Sequence, residues 1–304
     1  KQNQQLKCSL VVVNACAAAQ PPSSRLSAQA YQQLLSRGRQ RLRPPPGTLG
    51  PPTHLAPLEV STQFLSASRE CSVTGETISF EIVRVASRPE CFHVSGLLSD
   101  AECDDIVATA DARGMSSATT AGGDARKNCG VAWLPLASYN VGESIAAACE
   151  QLFLTPEAQY SPASGWAGEA FFENMQVLKY GAGGEFKLHH DANQETHRTL
   201  TCLLYLNGVG ETWFPLASKE WVAHNPPSRQ AALALASGLE PGRDGLLVAP
   251  AKGDAVVFYN FCDDGSGELD RLAFHSGLPA PGEKSVAALW HRVAPQQEER
   301  RVGE

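Results

Sequence analysis

The chain has 304 residues, 43% hydrophobic and 19% charged, with a formal net charge of -7. That length allows one large globular domain or two small ones, and the acidic balance argues against a nucleic-acid partner, which needs a concentrated basic surface. No apolar run approaches the ~18 residues required to cross a bilayer, so no membrane span is expected.

Residues 1–85 read as an irregular arm. Residues 10–19 form a short apolar run broken by Asn14, with Lys7 before it and Ala17-Ala18-Ala19-Gln20 behind, a weak imitation of a signal peptide. Because the chain opens on Lys1, the expectation is a mature chain whose presequence lay upstream. A helix is expected over 26–42, with Leu26, Tyr31, Leu34, Leu35 and Leu42 on one side and Gly38 weakening it. Arg37, Arg39, Arg41 and Arg43 fall on alternate residues and read as a solvated face. Pro44, Pro45 and Pro46 end any helix and open a Pro-rich linker over 44–57. The arm has too little apolar material for a core of its own, so an ordered arm implies a docking partner. Residues 73–85 then read as strand material leading into a second unit at 86–304.

From Pro89 onward the signals sharpen. Ser99-Asp100-Ala101-Glu102 is a capping box opening a helix, with Ile106, Val107 and Ala110 inward and Gly114 as its stop. Asn140-Val141-Gly142-Glu143 repeats that signature ahead of 145–153. After Phe171 come short β-rich runs at 175–180, 199–206, 212–214, 246–248, 255–259 and 285–290. An insertion at 216–245 carries an alanine-rich helix over 230–236. Short strands at this spacing suggest a sandwich or barrel with the helices packed outside, a mainly β fold with flanking helices. Nine cysteines (8, 16, 71, 91, 103, 129, 149, 202 and 262) include no C-x-x-C pair, which makes a structural zinc site unlikely. They leave the compartment open: a reduced setting and a partly disulfide-bonded lumen both fit, with an endoplasmic-reticulum or secretory lumen slightly preferred.

The chemistry concentrates at Leu188-His189-His190-Asp191. Strand side chains alternate faces, so His189 and Asp191 project together while His190 points away. His275, in Phe274-His275-Ser276-Gly277, is the natural third ligand. Two histidines and a carboxylate on one face leave three positions open, the arrangement of a non-haem iron(II) that binds cosubstrate and dioxygen together. Three protein ligands also suit catalytic zinc. Lys284 begins a β-rich run, and a lysine entering a barrel interior needs an anionic partner. The far carboxylate of a dicarboxylate cosubstrate is such a partner, with Thr212 and the Tyr180 hydroxyl adding neutral hydrogen bonds.

The order Tyr180-x-x-Gly183-x-x-Phe186-x-x-His189-x-Asp191, Arg198 to Tyr205-Leu206, Gly210-Glu211-Thr212-x-Phe214-Pro215, Gly253-Asp254 to Phe258, and His275-Ser276-Gly277 to Lys284 and Trp290 resembles the catalytic domain of the prolyl 4-hydroxylases among the 2-oxoglutarate oxygenases. The likeness spans about residues 89 to 292. It implies a double-stranded β-helix, or jelly-roll barrel, with iron(II) held by His189, Asp191 and His275 at its open end. It also implies 2-oxoglutarate and dioxygen as cosubstrates, ascorbate as reductant, and hydroxylation of an unactivated C–H bond, most closely that of a peptidyl proline. Lys284 would hold the distal carboxylate with Tyr180 and Thr212 assisting, while Arg198 and Trp290 match positions on the substrate side.

Four departures stand out. Phe186 occupies the place of a usual tyrosine, Arg292 that of a histidine, residues 192–197 are fewer than the usual loop, and His275 to Lys284 is one residue tighter than the common pattern. The first three bear on the substrate and the last on the lysine. Two other readings remain open from sequence: an oxygenase-fold subunit with a structural role, docked through the arm, and a zinc hydrolase, which lacks a candidate base and leaves Lys284 unexplained.

Overall fold

A computed structural model describes residues 11–13, 64–118, 126–153, 170–192, 198–217, 228–261 and 269–293. In chain order these form β1 (Val11–Val13), β2 (Phe64–Glu70), β3 (Thr77–Ser87), β4 (Glu90–Ser95), α1 (Asp100–Arg113), β5 (Ser116–Ser117), β6 (Arg126–Leu134), α2 (Asn140–Phe153), β7 (Ala170–Phe172), β8 (Met175–His189), β9 (Arg198–Tyr205), β10 (Thr212–Phe214), α3 (Arg229–Ala236), β11 (Leu246–Val248), β12 (Ala255–Tyr259), β13 (His275–Gly277) and β14 (Lys284–Val293). The expected helix over 26–42 and the linker over 44–57 lie outside the described residues. Among the described residues no helix is long and apolar enough to cross a membrane.

The barrel depends on β8 changing partners midway. Its first part pairs with β14, from Ala288↔Gln176 to Lys284↔Tyr180, and its last part pairs with β13, where His275 faces His189. One sheet therefore runs β4-β12-β9-β14-β8, and the other continues β8-β13-β10-β11. The two halves of a double-stranded β-helix share this strand. The turn between them needs glycine: Gly183 has φ +67°, and a Cβ on Gly184 would sit 2.7 Å from the Gly181 carbonyl oxygen. The same glycines explain why sequence patterning ends a strand at 180 whereas the backbone continues to His189: glycine there permits a bend and does not stop the pairing.

Alternation then divides the core into two layers. On β14, Ala287 and Leu289 join Val177, Leu204 and Val257 against Ile106 of α1 and Ile145 of α2. Val286 faces the barrel interior with Leu178, Tyr205, Phe214 and Phe258. The capping box is present in full, with the Ser99 side chain accepting from Glu102 N and Gly114 (φ 85°) closing α1. At α2 the expectation is one residue off. The Tyr139 carbonyl accepts from Glu143 N at 3.0 Å, so Asn140 is the first helical residue and not the cap.

Upstream, β2 and β3 extend the same sheet through β4. The strand expected over 73–85 starts at Thr77, because residues 71–76 form a turn closed by Cys71 N to Glu76 O at 2.7 Å. It runs on to Ser87, so residues 85 and 86 both lie inside β3. Strand β2 carries Arg69, 1% exposed, into a buried pair with Glu102 at the head of α1.

Candidate active site

The end of β8 and the start of β13 bring His189, Asp191 and His275 together, with their potential ligand atoms within 4.8 Å of one another. His189 Nε2 lies 3.4 Å from Asp191 Oδ1, and His275 Nε2 lies 3.6 Å from Asp191 Oδ2. Both histidines are oriented alike. His189 Nδ1–H donates to the Lys187 carbonyl at 2.8 Å, and His275 Nδ1–H donates to the Ala273 carbonyl at 3.0 Å. A carbonyl only accepts, so each Nδ1 carries the proton and each Nε2 lone pair faces the cluster. Burial, helped by neighbouring His189, pushes the His275 pKa down to about 4, which keeps the ring neutral for ligation. His190 faces away as expected, donating through Nε2 to the Asp270 carbonyl at 2.9 Å.

Asp191 is fixed from behind. Thr201 Oγ1 donates to its Oδ2 at 2.8 Å, and Asn260 Nδ2 donates to Thr201 Oγ1 at 2.9 Å. Burial alone would raise the Asp191 pKa, but His275, His189 and Arg198 hold it well below the usual carboxylate range. Two imidazoles and one carboxylate, each backed by a second hydrogen bond, fit a facial metal site with open positions.

The same cavity is lined by Tyr180, Thr212, Lys284 and Trp290. Lys284 is 2% exposed, and among the described residues it has neither a hydrogen-bond acceptor nor an ion-pair partner. Its stem is packed tightly: a Cβ on Gly210 would collide with Lys284 Cδ, and one on Gly277 would lie 2.9 Å from Nζ. The Tyr180 ring lies 5.4 Å from Nζ. Thr212 Oγ1 accepts from the Tyr205 hydroxyl at 2.8 Å, which leaves its own O–H free to donate into the cavity. Burial pushes the Lys284 pKa down to about 8, with Cys129 and Glu211 partly opposing it. A buried ammonium without a counter-ion at the floor of a cavity fits an incoming carboxylate.

Trp290 lines the cavity, whereas Arg198 does not. The Arg198 guanidinium makes a two-pronged bond to Glu173, Nε to Oε1 at 2.8 Å and Nη2 to Oε2 at 2.7 Å, and lies 3.8 Å over the Trp290 ring. In this arrangement Arg198 steadies the tryptophan. Phe186 stacks on His189 with ring centroids 3.5 Å apart, and the Arg126 guanidinium covers Phe186 at 4.4 Å. Sequence reading missed Arg126, Thr201 and Asn260. Thr201 and Asn260 sit in apolar runs and Arg126 in a charged one; only the pairing of distant strands brings Arg126 and Thr201 to the cavity and Asn260 behind Thr201.

A family model described as the 2OG-Fe(II) oxygenase superfamily matches residues 175–292. Probable prolyl 4-hydroxylase 4 of Arabidopsis thaliana is 30% identical over 225 residues, spanning 70% of this chain and 70% of that protein. Prolyl 4-hydroxylase 2 of the same plant is 28% identical over 224 residues with the same coverage of each chain. A solved structure, the viral collagen prolyl hydroxylase from Paramecium Bursaria Chlorella virus-1 in its 2OG complex, aligns over 67% of this chain and 96% of that one, with 22% identity and a TM-score of 0.47. With that level of identity across 70% of both sequences, the chain belongs to the prolyl 4-hydroxylase family of 2OG-Fe(II) oxygenases and is an iron(II)- and 2-oxoglutarate-dependent dioxygenase.

Proposed function

We propose that this dioxygenase hydroxylates a prolyl residue of a peptide or protein, with His189, Asp191 and His275 holding iron and Lys284 holding 2-oxoglutarate. The observation that carries the site assignment is Lys284, buried without a partner among the described residues in the cavity that the triad also lines. Its ammonium would pair with the distal carboxylate of the cosubstrate, and the Thr212 hydroxyl and Tyr180 would add neutral hydrogen bonds. His189 and His275 present lone pairs because their Nδ1 protons are committed to carbonyls, and Asp191 is steadied by Thr201. Leu178, Leu203, Val286 and Ala288 supply apolar walls that exclude water from the reacting groups. When bound, iron(II) with 2-oxoglutarate and dioxygen supplies the oxidation that puts one oxygen into a C–H bond and releases succinate and carbon dioxide. Ascorbate would serve as the reductant that keeps the metal ferrous.

On the substrate side, Trp290, held by Arg198, and Phe186, held between Arg126 and His189, are the rigid surfaces that face an incoming side chain. An intact triad beside an unpaired lysine is what an active enzyme keeps, and it favours catalysis over a purely structural role. The test is to incubate the full chain with iron, ascorbate, 2-oxoglutarate and proline-containing peptides. A gain of one oxygen on proline, with succinate release that depends on the peptide, is expected. If 2-oxoglutarate is turned over but no proline peptide gains oxygen, the prolyl reading is wrong and another C–H substrate must be sought.

A further inference from the structure

The strand register extends the substrate surface beyond the cavity. Across β6, β8 and β14 three rows of residues stand on one face. The first is Cys129, Tyr180 and Lys284, the second Val131, Leu178 and Val286, and the third Trp133, Gln176 and Ala288. Tyr180, Lys284, Leu178, Val286 and Ala288 all line the cavity. Side chains alternate along each strand, so Trp133 belongs to this cavity face, on its outer edge. Its ring is 6.2 Å from that of Trp290, inclined at 44°. Yet Trp290 is only 4% exposed and Trp133 is 41% exposed. The other large exposed apolar residues among those described, Val73 and Leu235, lie in the turn before β3 and on α3. Trp133 is therefore the one of the three that adjoins the cavity.

An open tryptophan face that continues a buried aromatic wall is a binding feature and not core. We infer that Trp133 is an outer subsite of the substrate groove, taking a prolyl ring that flanks the residue presented to Trp290. This rests on the prolyl reading proposed above. The occupant follows from the geometry. A polyproline II strand rises ~3.1 Å per residue with three residues per turn, so two rings 6.2 Å apart fall within one turn of such a strand, in reach of a residue about two positions from the target. Aromatic-lined grooves bind such strands because little conformational entropy is left to lose. Trp290 is fixed by Arg198 and Glu173, so the spacing between the two subsites is set by the sheet and not by loose side chains.

The test uses the full chain with two peptides that share one target proline. One has prolines two positions to either side of it, and the other has alanines there. Binding is followed by calorimetry with 2-oxoglutarate present, and hydroxylation by mass. The expected result is that Trp133→Ala weakens binding of the proline-flanked peptide and raises its KM about tenfold, equivalent to ~1.4 kcal/mol. The alanine-flanked peptide, kcat and the KM for 2-oxoglutarate should stay unchanged, and Trp133→Phe should recover most of the loss. If wild type binds the proline-flanked peptide without hydroxylating it, and Trp133→Ala still weakens that binding, the subsite stands and the prolyl reaction falls. If Trp133→Ala binds both peptides as wild type does, weakens both equally, or wild type binds neither, the subsite is wrong.

Discussion

Among the described residues, Arg69 at 1% exposure and Lys284 at 2% are buried to almost the same degree, and they are opposite in kind. All five Arg69 N–H groups are taken. Nε donates to the Leu97 carbonyl at 3.0 Å, and Nη2 donates to the same carbonyl at 2.8 Å and to Glu102 Oε2. Nη1 donates to Glu102 Oε1 at 2.9 Å and to the Glu70 carbonyl at 3.1 Å. Glu102 in turn accepts from Ser72 N and Ser99 N, so the clamp ties β2, the following turn and the head of α1 into one block. Lys284 has a well-packed stem and an ammonium that meets no acceptor among the described residues. A buried charge with every bond made is architecture. One held rigidly with its bonds unmade is a site awaiting its ligand.

The sharpest break of the comparison is at the His189, Asp191 and His275 cluster, which contains neither cation. Asp191→Ala removes a proposed ligand and no core volume. Iron-dependent 2-oxoglutarate turnover should drop to background while the thermal transition stays within a few degrees, read by succinate release and calorimetry. A folded variant that retains full turnover would remove Asp191 from the site.

At the clamp, Glu102→Gln leaves Arg69 buried without its counter-charge, at a cost of about 3–5 kcal/mol. The transition temperature should fall by roughly 6–20 °C, since each kcal/mol moves a domain of this size by ~2–4 °C. The KM for 2-oxoglutarate of the protein that remains folded should not move. The clamp also carries a pH signature. Burial alone would raise the Glu102 pKa, but Arg69 and the backbone donors bring it below the ordinary value. A depressed carboxyl adds stability above its unfolded pKa and loses it as pH falls through the folded one. Acid unfolding should therefore lose steepness in Glu102→Gln.

At Lys284 the reverse holds. Lys284→Ala should raise the KM for 2-oxoglutarate by about one to two orders of magnitude, the worth of a charge-assisted bond at ~1.5–3 kcal/mol. Iron affinity should be little changed, and the ligand-free protein should be no less stable. Burial has pushed the Lys284 pKa down to about 8, so the free enzyme loses the cation above that pH. The wild-type KM for 2-oxoglutarate should be flat below pH 8 and climb above it, and the alanine variant should show no such climb. For the empty protein the sign is opposite: a lysine with a lowered pKa adds stability as pH rises from about 8 toward its unfolded value. A lysine that served only the fold would lower iron binding and 2-oxoglutarate binding alike.

The same contrast explains what was legible in the sequence. His189 and Asp191 were readable because strand alternation is local, and Lys284 because an ammonium at an inward position demands a partner whatever the fold. The Arg69 strand was not, for the same chemical reason in reverse. Phe64–Glu70 places arginine where a core residue would stand, so its pattern looks polar until Glu102 is found 33 residues away. Thr201 and Asn260 were hidden differently, since their value lies in the link they form to Asp191 across β9 and β12. The barrel itself was legible as a series of strands, whereas the partner change within β8 was masked by glycines that look like a break.

The smallest expected effect concerns Phe186, and it sharpens what Lys284 cannot address: which C–H bond is oxidised. The ring is confined between the His189 imidazole at 3.5 Å and the Arg126 guanidinium at 4.4 Å. A hydroxyl added at its edge leaves both stacked faces intact, so Phe186→Tyr should not disturb the metal ligands. It restores the group that the prolyl 4-hydroxylase pattern carries at this position. A single neutral hydrogen bond is worth about 0.5–1.5 kcal/mol, so kcat/KM on a proline peptide should improve by roughly two- to tenfold. Peptide-independent 2-oxoglutarate turnover should stay constant, because the cosubstrate contacts proposed above lie at Lys284 and Thr212. Measuring both rates on one preparation separates a substrate effect from a metal effect. If the tyrosine variant gains nothing on proline peptides that wild type does hydroxylate, the phenylalanine is a filled packing position, and selectivity must come from Trp290, Trp133 and Arg126.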